Sequence, residues 1–360
     1  GMLEINQDIQ NSHQQVLQDA YVKSLLEEVP RQNFSVEAKL KHYQAIIEKS
    51  WQTLKTLAMP QKMQEAFDHV LLQKGKRLRP LLVILAGELF EMPIEKSLVP
   101  ALALETFHNS TLVHDDIMDE AELRRGQATV HHQWDEATAI LIGDIYLTKT
   151  YSLLTHLESK HIARSISLFN EVVEKIIQGQ FLDLQFETQS DVLLEDYLLM
   201  IENKTALLLA IALKLGALNA GASLSDQEHL YEFGKKMGMA FQIQDDFLDC
   251  FGNKQSFGKK VGGDIIQNKK TFIILKAMEI ADATTQQKLK KLLSEKTKQP
   301  EKKVLQVQSI LKDLKIDLMS QEAQKRYFDE ALWHLSAVPV PEKRKLPLTF
   351  LAQSLLKREH

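Results

Sequence analysis

Apolar residues recur at helical spacing along almost the whole chain. Near 12–29, Val16, Leu17, Tyr21, Leu25 and Leu26 share one helix face. Pro30 and the polar run Asn33 to Ser35 interrupt the pattern, and Ser35 has the chemistry of an N-cap. The spacing then predicts helices near 36–57, 60–73, 77–90 and 94–119. Pro60, Pro80 and Pro93 fall at or near their starts, where proline is tolerated. Leu123 to Thr129 reads as a loop. Helices follow near 134–156, 160–188, 191–219, 225–251 and 264–281. The lysine-rich stretch 284–315 reads as exposed helices with a break at Pro300, and 318–335 and 343–358 are helical again. No strand-like alternation of any length occurs.

Composition sharpens this into one all-α body. No proline lies between Ala101 and Gln299, and only 14 of 360 residues are glycine, so little interrupts the helices. No linker supports a split: 1–35 is expected to be a helical extension and 36–360 one domain. A net charge of −4 argues against general nucleic-acid binding. The lone Cys250 excludes an intramolecular disulfide and points to a reducing compartment, the cytoplasm. It is expected to be a small buried apolar residue. The N-terminus carries no signal-peptide pattern, and Gly1 is read as an addition ahead of Met2. No apolar run reaches the ~18 residues of a membrane span.

Two acidic clusters of the same form change the picture. Asp115-Asp116-Ile117-Met118-Asp119 and Asp245-Asp246-Phe247-Leu248-Asp249 each interrupt an apolar helical run. The first and last Asp of each lie four apart, hence on one helix face, one turn apart. Like charges stacked that way repel, and folding gives no reason to do so twice. A divalent cation removes the repulsion; Mg²⁺ is usually held by one or two carboxylates plus substrate phosphates. Two such clusters facing each other would hold a diphosphate through metal.

Basic residues follow the same logic. Arg124-Arg125-Gly126 begins five residues after Asp119; arginine forks match phosphate oxygens. The bland alternative pairs them with Asp119, Glu120 and Glu122 at the surface. Upstream, Gly75-Lys76-Arg77-Leu78-Arg79-Pro80 puts Lys76 and Arg79 one turn apart at a helix start, where an anion is already favoured. His108 lies two turns before Asp115 on the same face. After the second cluster come Gly258-Lys259-Lys260-Val261-Gly262-Gly263-Asp264 and Lys269-Lys270-Thr271, a glycine-lysine loop suited to a phosphate. Lys204-Thr205 heads an apolar helical stretch; Lys204 faces either a diphosphate or an acid such as Glu202.

Together the ordered motifs GKRLRP, DDIMD with RRG, KT, FQIQDDFLD and GKKVGGD resemble the trans-prenyltransferases, the all-helical isoprenyl diphosphate synthases, over about residues 40–358. The resemblance implies one large helical bundle around a central apolar cavity, and a homodimer. It implies about three Mg²⁺ ions held by Asp115, Asp116, Asp119 and Asp245, with Asp249 more peripheral. Arg124, Lys204, Lys259 (or Lys260) and Lys269 would contact an allylic diphosphate. Lys76, Arg79, His108 and Arg125 would hold isopentenyl diphosphate. Thr205, Gln242, Gln180 and Asp183 would line the reaction centre, and Lys357-Arg358 match a basic closing tail.

The implied reaction is ionisation of the allylic C–O bond, attack by the isopentenyl double bond, and loss of a proton to the departed diphosphate. One five-carbon unit spans about one turn of helix, so Ser110, Thr111 and then Phe107, upstream of Asp115, would set a product of about twenty to thirty carbons. Phe107 equally suits ordinary core packing. A class I terpene cyclase, a helical metal phosphohydrolase and a non-catalytic subunit of a heteromeric prenyltransferase are the alternatives. None of them calls for two intact Asp clusters.

Overall fold

The computed structural model describes residues 35–54, 56–252 and 261–356. The extension at 1–34, with its expected helix near 12–29, lies outside the described residues, as do Lys259, Lys260, Lys357 and Arg358. In chain order the elements are α1 (Val36–Gln52), α2 (Gln61–Leu71), α3 (Leu78–Leu89), α4 (Ile94–Met118), β1 (Leu123–Arg124), β2 (Gln127–Ala128), α5 (Val130–Gln133), α6 (Glu136–Leu154) and α7 (Ser159–Phe186). Then come α8 (Leu194–Ile201), a π-helical turn (Glu202–Ala206), α9 (Leu207–Asn219), α10 (Leu224–Phe251), α11 (Gly263–Ile266), α12 (Phe272–Ile280), α13 (Ala283–Ser294), α14 (Pro300–Asp313), α15 (Ile316–Ser336) and α16 (Glu342–Leu356). The fold is all-α, as the spacing predicts; among the described residues the two strands have two residues each.

Local chemistry sets the helix boundaries. Ser35 caps α1 by accepting from Ala38 N–H at 3.2 Å, as the sequence predicts. Asp135 caps α6 the same way through Thr138 N–H at 2.7 Å. The stretch 284–315 is not simply exposed, because Leu289, Val304, Val307 and Leu311 turn into the core. Three expectations about element boundaries also need correction. The loop at 123–129 is a hairpin whose tip, Arg125 (φ 51°) and Gly126 (φ 76°), has both residues left-handed, as a tight two-residue connection requires. The helix expected over 264–281 is two, α11 and α12, separated by a turn with left-handed Asn268 (φ 56°) and restarted by the Thr271 cap. The helix expected over 191–219 is interrupted by the π turn that carries Lys204 and Thr205.

Chain compactness divides the described residues into two units. The first comprises 35–171, 211–231 and 338–348. Here α4 packs along α6 and α3. Its core includes Leu81 to Ala86 and an aromatic stack in which Tyr146 lies 4.5 Å from Phe67 and 5.9 Å from Trp51, ring centre to ring centre. The polar ends of this stack are bonded: Tyr146 Oη donates to Phe67 O and Trp51 Nε1 to Leu71 O, each at 2.8 Å.

The second unit comprises 172–210, 232–337 and 349–356. Its core gathers Tyr197, Met200, Ile201, Ala206, Met239, Ile243, Phe247 and Phe272 with Val304, Val307 and Leu311. Cys250 belongs to it, and burial pushes its thiol pKa up, so it is inert packing as expected.

In this second unit Gly179 on α7 makes the π turn possible: a Cβ there would sit 2.4 Å from Lys204 N. In an ordinary helix Gly→Ala gains up to about 1 kcal/mol. At Gly179 the backbone clash outweighs that gain. Gly179→Ala is expected to lower stability by about 1–3 kcal/mol. Urea unfolding checks this, and a stability gain would contradict the close packing of α7 on the π turn.

Candidate active site

The first acidic cluster occupies the C-terminal end of α4. Asp115 is half-buried and Asp119, the C-cap, is exposed. Asp116 is buried and turned inward, gripped at both oxygens by Arg124: Nε to Oδ2 at 2.9 Å and Nη2 to Oδ1 at 2.6 Å. Burial alone would lower the Arg124 pKa, but the Asp116 bonds and the charges of Asp115 and Asp119 raise it. Arg124 therefore neither floats at the surface nor pairs with Glu120 or Glu122; its partner is the cluster's own second aspartate.

Beside the cluster the same unit builds a cationic pocket. Lys76 precedes α3 rather than belonging to its first turn, because Arg77 is left-handed (φ 51°). Arg77 is itself buried. It bonds Glu48 at 2.7 Å and Glu105 at 3.0 Å, donates to Gln73 O at 2.7 Å, and lies 4.9 Å from the Trp51 ring centre. That network fixes the entry to α3 and so aims Arg79. Arg79 keeps a buried Nε with no hydrogen-bond partner among the described residues. Burial lowers its pKa, Glu105 raises it and Arg125 lowers it again. From the hairpin tip, Arg125 Nη1 donates to Lys74 O at 2.7 Å and crosses over Gly75, where a Cβ would meet it at 2.2 Å.

His108 closes this pocket. It is buried, and its Nδ1 has no partner among the described residues. Its pKa lies well below the ordinary imidazole value, through burial first and then through Arg79, Arg125, Arg124 and Arg77. A neutral imidazole among four guanidinium groups marks a place short of negative charge.

The second unit carries the second cluster on α10 with the same division of labour. Asp245 and Asp249 are half-buried, whereas Asp246 is buried and turned inward. Asp246 accepts from Tyr197 Oη, from Phe272 N–H at 3.1 Å and from Gln242 Nε2 at 3.3 Å. Burial raises its pKa to about 6 against the Tyr197 and Phe272 hydrogen bonds. Asp249 accepts from Asp264 N–H at 2.9 Å, tying the glycine-rich loop to the cluster. Lys269 is pushed down by desolvation but raised more by Asp264, Asp246, Asp183 and Asp249. Lys204 Nζ bonds Asp183, not Glu202, which is 3.7 Å from Lys235 instead. Thr205 is half-buried in the π turn, and Gln180 is buried on α7.

The three residues expected to govern chain length sit on α4. Ser110 is buried and donates to Gly143 O of α6 at 2.8 Å. Thr111 is half-buried and donates to His108 O at 2.6 Å. Phe107 is buried edge-on against Phe169, ring centres 5.0 Å apart, and Phe169 meets Tyr151 at 5.5 Å.

Sequence reasoning did not assign Arg77, Glu105, Tyr197 or Asp264. Arg77 stood inside a quoted motif, but nothing in its spacing marks left-handed backbone. Tyr197 lies 49 residues from Asp246, too far for any local pattern.

Among the described residues no three His, Cys, Asp or Glu side chains form a ready metal cage. Mg²⁺ is usually held by one or two carboxylates, water and substrate phosphates. Asp115 with Asp119, and Asp245 with Asp249, offer oxygen donors of that kind, so the residues present fit the ion.

The comparisons with known proteins place the chain among the all-α prenyltransferases. The chain matches the polyprenyl synthetase family over residues 60–311, and it belongs to that family. It is 35% identical over 304 residues to the geranylgeranyl diphosphate synthase of Sulfolobus acidocaldarius, covering 82% of this chain and 91% of that one. The crystal structure of geranylgeranyl pyrophosphate synthetase from Pyrococcus horikoshii superposes with a TM-score of 0.82 at 32% identity, covering 90% of this chain and 98% of that one. The Corynebacterium glutamicum geranylgeranyl pyrophosphate synthase, solved with calcium and isoprenyl diphosphate, superposes at 0.76 with 28% identity, covering 92% and 99%.

The His108 environment has a pH consequence. Its folded pKa is depressed below 6.5, so the unfolded chain binds the extra proton first. Its stabilising contribution is complete above pH 6.5 and is lost as pH falls from there toward the depressed folded value. His108→Asn should flatten the pH dependence of unfolding below pH 6.5 in metal- and anion-free buffer. An unchanged slope would show that neither burial nor the arginines hold the imidazole neutral.

Proposed function

We propose that this chain is a Mg²⁺-dependent chain-elongating synthase, condensing isopentenyl diphosphate with an allylic diphosphate into a trans-polyprenyl diphosphate of about twenty to thirty carbons. The observation that carries it is the arginine-ringed, partner-poor His108 pocket two turns from an acidic cluster. Residues 36–360 act as one catalytic domain in this reading. The neighbour solved with calcium and isoprenyl diphosphate supports a divalent ion as the partner of a diphosphate.

Lys76, Arg79, Arg125 and His108 bind the isopentenyl diphosphate. His108 stays neutral and donates a hydrogen bond without adding to the crowd of cations. Asp115, Asp119, Asp245 and, more peripherally, Asp249 hold Mg²⁺, which when bound neutralises charge growing on the leaving diphosphate. Asp116, expected from the sequence as a metal ligand too, anchors Arg124 in this reading because Arg124 takes both its oxygens, and Asp246 anchors the turn that presents Lys269. Lys204, Lys269 and Arg124 orient the allylic diphosphate, together with Lys259 or Lys260, and Thr205, Gln180, Asp183 and Gln242 line the reacting carbons. Holding both substrates supplies the proximity a weak alkene nucleophile needs. The proton leaves with the departed diphosphate.

The enzyme works as a homodimer in a reducing compartment, the cytoplasm. Its exposed Ile140 and Leu141 on α6 are candidates for the covered face. Both clusters keep every aspartate, which favours catalysis over a non-catalytic subunit and elongation over cyclisation.

Asp115→Asn and Asp245→Asn should each cut Mg²⁺-dependent condensation by orders of magnitude while stability moves by well under about 1–3 kcal/mol. Radiolabelled isopentenyl diphosphate with an allylic primer measures it. Near-normal turnover in either folded variant would remove the metal assignment.

Chain length follows from α4. Thr111 is half-buried, so Thr111→Phe should shorten the product. Phe107→Ala opens the Phe107–Phe169–Tyr151 cluster and should lengthen it. Ser110→Phe should also shorten it, at a cost in stability from its contact with Gly143 O. An unchanged product distribution in active Thr111→Phe protein would show that the tail takes another path.

A further inference from the structure

The lysine-rich stretch has no part in the reaction described above. Residues 283–315 carry nine lysines against three acids, a net +6 segment in a chain of net charge −4. Its two helices, α13 and α14, line a cleft of about 580 Å³. That lies within the ~300–1,000 Å³ of small-ligand sites. Lys288 and Lys291 enter from α13, Lys302 and Lys303 from α14. Glu295 and Asp313 also line it, leaving cations in excess.

Lys303 distinguishes this cleft from a solvated helix face. It is buried, only 4% exposed. Its Nζ donates to Asn268 Oδ1 at 2.5 Å and to Glu295 O at 3.3 Å. Both acceptors are neutral, and no carboxylate among the described residues forms an ion pair with it. A buried ammonium held by neutral oxygens, with a third N–H available, is short of negative charge.

We propose that the α13–α14 cleft binds a phosphate- or diphosphate-bearing anion, at a site separate from the candidate catalytic residues, and that its occupancy is felt in the turn at 262–271. Two contacts carry that coupling. Lys303 holds Asn268, the left-handed residue next to Lys269. Val304 packs on Gly262, where a Cβ would meet it at 2.6 Å. The site stands without the reading under Proposed function; only the meaning of the coupling rests on it, because there Lys269 orients the allylic diphosphate.

The test uses the full chain in EDTA, so neither metal nor turnover enters. Inorganic diphosphate is titrated calorimetrically into wild type and into the triple variant Lys288→Ala, Lys291→Ala, Lys302→Ala, all exposed positions. Wild type should bind one more equivalent than the variant and show slower amide exchange at 261–271, a change the variant lacks. In a separate assay with Mg²⁺, the variant's initial condensation rate, read before product diphosphate accumulates, should match wild type. Vesicles of phosphatidylcholine with and without phosphatidic acid identify the source. Variant-sensitive retention on phosphatidic acid points to a lipid headgroup, and soluble binding alone to a free anion; either supports the site. Equal stoichiometry and equal exchange in both proteins, with no variant-sensitive vesicle retention, would overturn it while leaving the condensation reading untouched.

Discussion

Adjacent residues of a helix point about 100° apart, so two neighbouring aspartates do not share one face. The rest of each acidic cluster depends on where the second carboxylate goes. Burying it without a partner would cost several kcal/mol. On α4 the partner is the two-pronged guanidinium of Arg124; on α10 it is the Tyr197 hydroxyl with Phe272 N–H. In both places the inward carboxylate organises a neighbouring segment. Asp116 fixes the hairpin that carries Arg125, and Asp246 fixes the start of α12 just beyond Lys269. The first and fifth aspartates remain on the other side, stacked one turn apart, as a cation would require.

Cations are handled by the opposite device. Arg77 is neutralised internally by Glu48 and Glu105, which lets it serve as a structural pivot. Arg79 and Arg125 are left without such carboxylate contacts among the described residues, and their field adds to burial in holding His108 neutral. The pocket is thus charged where a diphosphate would enter and balanced where the backbone must be held.

Much of this was legible in the sequence because helix signals are local. Scarce proline and glycine, and caps such as Ser35, marked most helices within a few residues. The repeated Asp spacing and the following arginines marked the chemistry. Features set by tertiary contact were not legible. The π turn at Glu202–Ala206 lies directly against Gly179 of α7, and the break between α11 and α12 goes with left-handed Asn268 and with Asp246 holding Phe272 N–H. The Lys204–Asp183 pair joins residues 21 apart in sequence on two different elements. Arg77 looked like one more cation of a basic motif until its left-handed backbone and buried acids separated it from Lys76 and Arg79.

The central claim is that two diphosphates are recognised by different residues: Arg79 with its neighbours for one, Lys204 with its neighbours for the other. Steady-state kinetics of Arg79→Gln and Lys204→Gln, varying each substrate in turn, tests it most directly. Loss of a charged hydrogen bond is worth about 1.5–3 kcal/mol, about tenfold to a hundredfold in apparent affinity. Arg79→Gln should raise KM for isopentenyl diphosphate by that factor and leave the allylic KM nearly unchanged, with Lys204→Gln doing the reverse. Equal increases for both substrates in both variants would contradict the account.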